Sequence, residues 1–402
     1  MADTRTPPNQ PAVPWSGRGS RYSDDDIAFI VEAIQTADPL TQGRYQAEFE
    51  KAFRDYAGAE YAFAVSSCTA ALHLAAVLCR LQPGDEVITP AHTFAASAIP
   101  FAQTGAKLVW ADIDPATFVV SAASVERLIT PNTKVIVVVH LYGLMADMDA
   151  IMALAEKHGL LVVEDAAQSL GATYKGRQAG TIGDFGCFSF HTHKNISTLG
   201  EGGMLTVRDA ETAALVPGFR HNGMRPYQGE RPQYWKPAMS NVDFDWDGVW
   251  PFNYCIGEVQ CAAGTTQVPK IDDLNALRRR RAEKFMAAVK DFPELAFQAT
   301  PEGRTNVYYC LPARYDGTPA GRGRDDFMTR MATVHNVQMV VQYYPLYRYP
   351  MFEKAGFGEA DCPETDRFFD RMVSFPFHAW MPDDQFEYLI DATRETLTEL
   401  RR

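Results

Sequence analysis

Val135-Ile-Val-Val-Val-His140 is a run of five β-branched residues closed by a histidine. A strand exposed on one face alternates apolar with polar side chains, whereas a strand apolar at every position is covered on both faces, as in a parallel sheet between helices. Outward from this run, short apolar strands alternate with helical segments from residue 61 to residue 204. Strands are expected at 62–66, 86–89, 107–112, 135–140, 160–165 and 187–190, and helices at 70–79, 94–104 and 148–158. That order implies βαβ crossovers and an α/β fold with a mostly parallel central sheet. Two helices, at 23–34 and 48–56, are expected ahead of it, preceded by a Pro- and Gly-rich tail over 1–20 with little order of its own.

Ligands of such sheets gather beyond the carboxyl ends of the strands. No G-x-G-x-x-G follows the first strand, which counts against a nicotinamide or flavin site. Ser66-Ser-Cys-Thr-Ala70 stands there instead, and small hydroxylated residues opening a helix suit either a phosphate monoester or plain capping. Asp165 ends the strand beginning at Leu160; it needs a cationic partner such as a protonated pyridine nitrogen, or it caps the next turn. Phe94 either stacks on a flat ring or packs in the core. Lys194 follows the buried run Cys187-Phe-Ser-Phe190. Desolvation there would depress its pKa and make it a nucleophile toward carbonyls, unless it is simply a surface lysine. In this chain order, a phosphate-binding helix start, an aromatic plate, a strand-end acid and a lysine are the parts that hold pyridoxal phosphate.

Longer motifs carry a resemblance. Gly84-Asp-Glu-Val-Ile-Thr-Pro90, His140-Leu-Tyr-Gly143, Glu164-Asp-Ala-Ala-Gln168, Phe188-Ser-Phe-His191 with Lys194, and Gly200-Glu-Gly-Gly203 together resemble the DegT/DnrJ/EryC1/StrS family of fold-type-I, pyridoxal-phosphate-dependent sugar and cyclitol aminotransferases. The likeness runs from Leu40 to Pro376. It implies a large cofactor-binding domain over 21–268, a smaller α+β domain over 269–402, and a homodimer with shared active sites. By the same resemblance Lys194 is the Schiff-base lysine, Asp165 the partner of the pyridine nitrogen, and Gln168 the neighbour of the ring hydroxyl. Cys68, Thr69 and Ser189 match phosphate contacts, Phe94 the stacking ring, and Asn253 a residue that reaches the phosphate of the neighbouring subunit. Glutamate or glutamine is the implied donor. The implied acceptor is a nucleotide-linked keto sugar, with a keto-cyclitol second and a sugar dehydratase or a silent regulatory member as further alternatives.

This chain departs from the family pattern in three places. Cys68 replaces a commoner glycine, Cys255 stands where arginine is common, and the aromatic, Pro-rich segment 225–250 has no residue-by-residue match; it is expected to face substrate or an interface. Gln342-Tyr-Tyr-Pro-Leu-Tyr347 carries tyrosine where the family often has histidine, either a substrate contact or packing.

Strands are expected at 307–311 and 338–342, and helices at 271–290 and 383–400. Arg278-Arg-Arg-Arg281 reads as part of a solvated, salt-bridged helix, since adjacent residues cover every face. No arginine is assigned to clamp a second carboxylate. His191, His193 and His221 lack a recognisable third ligand, so no metal is expected. The formal charge of −12 over 402 residues disfavours nucleic-acid and anionic-membrane partners, and no apolar run approaches the ~20 residues a bilayer requires. Seven cysteines without a C-x-x-C pair, and no signal-peptide pattern, point to a reduced, cytoplasmic protein.

Overall fold

The computed structural model describes residues 11–15, 19–225, 233, 235, 241, 244–246 and 248–401. Most of the 225–250 segment therefore lies outside the described residues. Seven strands form the large sheet: β1 (Tyr61–Val65), β2 (Glu86–Pro90), β3 (Lys107–Ala111), β4 (Thr133–Val139), β5 (Leu161–Asp165), β6 (Phe185–Ser189) and β7 (Gly203–Val207). Their order is β1-β7-β6-β5-β4-β2-β3. Strands β2 to β6 pair in parallel, and β7 alone runs against its neighbours β6 and β1. Every residue of β4 but Lys134 is buried, the two-sided covering that its composition requires. The α/β class with a mostly parallel sheet is thus the observed fold.

Local signals set the flanking helices. Ser23 and Asp26 form a reciprocal capping box at the start of α1 (Asp24–Thr36), which satisfies two otherwise unpaired N–H groups. Helix α2 (Arg44–Ala57) ends on Gly58 in the left-handed conformation. The Ser67 hydroxyl accepts from Ala70 N–H to cap α3 (Cys68–Leu78), and Asp147 likewise caps α4 (Met148–His158). The segment expected as one helix over 94–104 is instead two short turns, Ala95–Ser97 and Ile99–Gln103.

After α5 (Glu258–Gln267) and α6 (Ile271–Ala288), a three-stranded antiparallel sheet follows: β8 (Leu295–Phe297), β9 (Leu311–Tyr315) and β10 (Met372–Phe375). It packs with α6 and α7 (Asp383–Leu400) around Phe285, Phe327, Phe375 and Phe386. Val307, Cys310, Leu346 and Phe368 join the core of the large sheet instead. Where it is described, the N-terminal segment is anchored: Val13 is fully buried in the C-terminal cluster, and Ser20 accepts from Ser197 N–H at 2.8 Å.

Two strand expectations are corrected. Residues 307–311 enter a strand only at Leu311, because Val307 N–H bonds Gly143 O, Tyr308 N–H bonds the Asn306 side chain, and Tyr308 has φ 47°. Residues 338–342 make one isolated bridge, Val340 to Ser374. The solvated reading of Arg278 is also wrong: it is 5% exposed, and donates from Nε to Tyr308 O at 3.0 Å and from Nη2 to Tyr309 O at 2.7 Å.

Candidate active site

The parallel strands end in register, Val139 beside Asp165 and Asp165 beside Cys187, so their carboxyl-end residues converge on one side of the sheet. A cavity of about 430 Å³ lies there, lined among others by Cys68, Thr69, Phe94, Asp165, Gln168 and Lys194. Ser189 also reaches it. Asn253 does not: it is exposed, and its side chain accepts from Cys255 N–H at 3.0 Å.

Asp165 is buried and fixed from several sides. Its Oδ2 accepts from the Ser97 hydroxyl at 2.7 Å, and its Oδ1 from Ala167 N–H at 3.0 Å. The Cys68 thiol also points at Oδ1, 3.9 Å away, so this side chain faces the carboxylate. Burial, with the charge of Asp165, pushes that thiol's pKa well up. The preceding residue, Glu164, is fully buried and holds the turn that follows: it accepts from Gly180, Ile182 and Gly183 N–H groups and from His140 Nε2 at 2.6–2.9 Å.

Gln168 accepts from Tyr142 N–H at 2.8 Å and donates to the Tyr343 hydroxyl at 3.1 Å. Phe94 remains 59% exposed, tilted beside Tyr343 at the cavity wall. Tyr347 is buried and donates to Asp366, which makes it a packing residue of its own segment. At the other wall the N-terminus of α3 presents the Cys68 and Thr69 N–H groups, which have no acceptor within a helix. Gly203, opposite Ser189 and Val65, lets β7 press against this turn; a Cβ there would sit 2.3 Å from the Ser67 carbonyl carbon and 2.7 Å from Cys68 N.

Lys194 Nζ lies 4.5 Å from the centre of the Tyr309 ring, a cation–π contact. The depressed pKa expected from the sequence is not what the surroundings produce. Burial works against the charge, but Tyr309, Cys68, Asp165 and Cys310 together move Lys194 upward. Burial raises Tyr309, Cys68 and Cys310 themselves, so Asp165 is the neighbour among these that supplies negative charge at neutral pH. The lysine loop is also strapped from outside: Gly19 N–H donates to Thr192 O at 2.7 Å, so tightly packed that a Cβ on Gly19 would lie 1.8 Å from Lys194 O.

The donor set fits pyridoxal phosphate. Open N–H groups and the Ser189 hydroxyl suit a phosphate, a restrained carboxylate suits a ring N–H⁺, and an amine stands in the same cavity. Ser97, Tyr309, Tyr343 and Cys310 were not anticipated. Ser97 follows Phe94 closely, but its bond to Asp165 spans 68 residues, and no local spacing signals it. Among the described residues no group of three His, Cys, Asp or Glu side chains is arranged to hold a metal ion. No helix among them is long and apolar enough to cross a membrane.

A model described as the DegT/DnrJ/EryC1/StrS aminotransferase family matches residues 22–394. The spore coat polysaccharide biosynthesis protein SpsC of Bacillus subtilis is 35% identical over 373 residues, 92% of this chain and 94% of its own length. GDP-perosamine synthase of Caulobacter vibrioides is 43% identical over 260 residues, 65% of this chain and 66% of its own. Among solved structures, an aminotransferase from Psychrobacter cryohalolentis superimposes with a TM-score of 0.87 at 27% identity, covering 97% of this chain and 100% of that one.

Proposed function

This chain belongs to the DegT/DnrJ/EryC1/StrS aminotransferase family, and on that premise we propose that it transfers an amino group from glutamate or glutamine to a nucleotide-linked keto sugar. It is a pyridoxal-phosphate-dependent aminotransferase acting in sugar metabolism. The observation that carries the finer reading is the convergence of Lys194, Asp165 and the α3 start on one cavity, joined to the likeness with a relative named for a GDP-linked amino sugar.

Pyridoxal phosphate, when bound, supplies an aldehyde that condenses with amines and a ring that accepts the electron pair left at the donor's Cα. The α3 N–H groups and Ser189 would bind and orient its phosphate, and Phe94 would cover the ring. Asp165, held by Ser97 and Ala167, would keep a proton on the ring nitrogen. Asp165, once offset by a ring N–H⁺, would no longer hold the charge of Lys194 up, which would favour the free amine. Lys194 Nζ would move a proton from the donor's Cα to the cofactor's C4′ and, in the reverse sense, from C4′ to the carbon of the ketone being aminated.

Asn253, exposed and outside its own chain's cavity, supports a homodimer in which it completes the partner's phosphate site. Two domains, divided near residue 268, remain the proposed organisation. Seven free thiols support a reducing, cytoplasmic setting. The test is incubation of the holoenzyme with glutamate or glutamine and a panel of GDP- and UDP-linked keto sugars, read by mass spectrometry. Amination of free keto-cyclitols alone would overturn the nucleotide-linked assignment.

A further inference from the structure

Behind Tyr309 lies a second cavity of about 130 Å³, lined by Arg278, His378 and Cys310 and sharing His193, Tyr309 and Gln342 with the main one. Trp15 and Gly19 of the N-terminal segment also line it. The guanidinium of Arg278 is anchored by the two carbonyls of Tyr308 and Tyr309 and lies 5.2 Å from the Phe377 ring centre. Among the described residues no carboxylate pairs with it, and burial lowers its pKa to about 10, so at neutral pH it is a buried cation lacking a counter-ion.

The cations around it add to the field. Burial, then Arg278, Arg281 and Arg21, holds His378 down to about 4, which makes its ring neutral, and its Nδ1 is buried without a hydrogen-bond partner. Arg281 is paired with Asp383 at 2.7 Å, and Arg21 lies over the Trp380 ring. A buried charge and a buried polar atom left unmatched are both costly, and a small anion in the cavity satisfies both. The space admits a carboxylate and is too small for a nucleotide.

We infer that this cavity is the carboxylate subsite for the amino-acid donor, with Arg278 binding the carboxylate and His378 donating to it from its Nδ1–H tautomer. The inference rests on the transamination reading above. Two of the five guanidinium N–H donors are used on carbonyls, and the others are free to grip an oxygen. Tyr309 joins the two sites: its ring meets Lys194 and its carbonyl meets Arg278, so a donor whose amine reaches Lys194 can place a carboxylate behind that ring.

The experiment uses holoenzyme and glutarate, a dicarboxylate with no amine to transfer, alongside single-turnover reaction with glutamate. In wild type, glutarate competes with glutamate. In His378→Ala and Arg278→Lys the apparent dissociation constant for glutamate rises about tenfold or more, the loss of a charge-assisted hydrogen bond, while the KM for the ketone acceptor moves less than the donor constant. His378→Ala strands no partner, because Arg281 uses the His378 backbone carbonyl, so it decides the matter if Arg278→Lys does not fold. Unchanged glutamate affinity in a folded His378→Ala overturns the subsite, as does displacement of glutarate by inorganic phosphate or chloride at equal concentration. Wild-type enzyme that takes no amino group from any amino acid overturns the transamination reading itself.

Discussion

The Ser97 hydroxyl donates to Asp165 Oδ2 at 2.7 Å while Ala167 N–H holds Oδ1 at 3.0 Å, so each carboxylate oxygen is restrained from a different segment. Ser97→Ala is expected to cost about 1–2 kcal/mol in urea unfolding. It is also expected to weaken pyridoxal phosphate binding roughly threefold to tenfold, as a carboxylate free to rotate meets the ring nitrogen less often. Titration of the apoenzyme followed by tryptophan fluorescence measures this. Equal affinity would mean that Ala167 alone orients Asp165.

Glu164 gives a pH dependence with a definite sign. Burial alone would raise its pKa, but the His140 bond and the N–H groups of Gly183 and Gly180 outweigh that and leave it lowered. A carboxyl depressed on folding contributes stability above its unfolded value, about 4.3, and that contribution is lost as pH falls through the folded value. Melting temperature should therefore drop as pH falls below about 4.3 and on through the depressed folded value. Glu164→Gln should cost about 3 kcal/mol at neutral pH and flatten the acid limb; an acid limb identical to wild type would contradict this account.

Gly203→Ala should damage the phosphate site more than the sheet. The added methyl meets backbone of Ser67 and Cys68, which cannot rotate away as a flexible side chain would. Cofactor affinity is expected to fall about tenfold or more, with a loss of about 1–3 kcal/mol in stability. An equilibrium dialysis series against pyridoxal phosphate tests the first part, calorimetry the second.

Lys194→Ala should abolish the absorbance band of the lysine-linked cofactor, leaving that of the free aldehyde, and lower turnover about a thousandfold or more, with the far-ultraviolet circular dichroism spectrum unchanged. Added methylamine should restore a small part of the rate. Tyr309→Leu keeps the amine but removes the π face, and should cost about threefold to thirtyfold in kcat. A Lys194→Ala protein that turned over normally would remove the lysine from the chemistry.

The central sheet was legible because burial on both faces imposes an unmistakable composition, and Val135 to Val139 shows it. Asp165 was legible as a strand-end residue and Lys194 as a residue of the loop that follows a buried strand, both within ordered motifs. What the sequence concealed depends on distant partners. Val307-Tyr-Tyr-Cys-Leu311 has the apolar content of a strand, yet the carbonyls of Tyr308 and Tyr309 are taken by Arg278 rather than by a ladder. Arg278 in turn looks like its three neighbours on the helix, and only packing shows which of four adjacent arginines turns inward. The upward shift at Lys194 is hidden for the same reason, since it depends on which anions the fold gathers around a buried amine.

The Gly19–Thr192 bond and the contact of Gly19 with the Lys194 carbonyl give the start of the chain an unexpected bearing on enzymology. Recombinant protein shortened to begin at Arg21, or given a bulky affinity tag immediately upstream, would be altered at its reacting loop and not merely at its periphery. Preparations of this enzyme that differ only in where cloning begins would then differ in specific activity, and the discrepancy would trace to the anchored segment that holds Val13, Gly19 and Ser20.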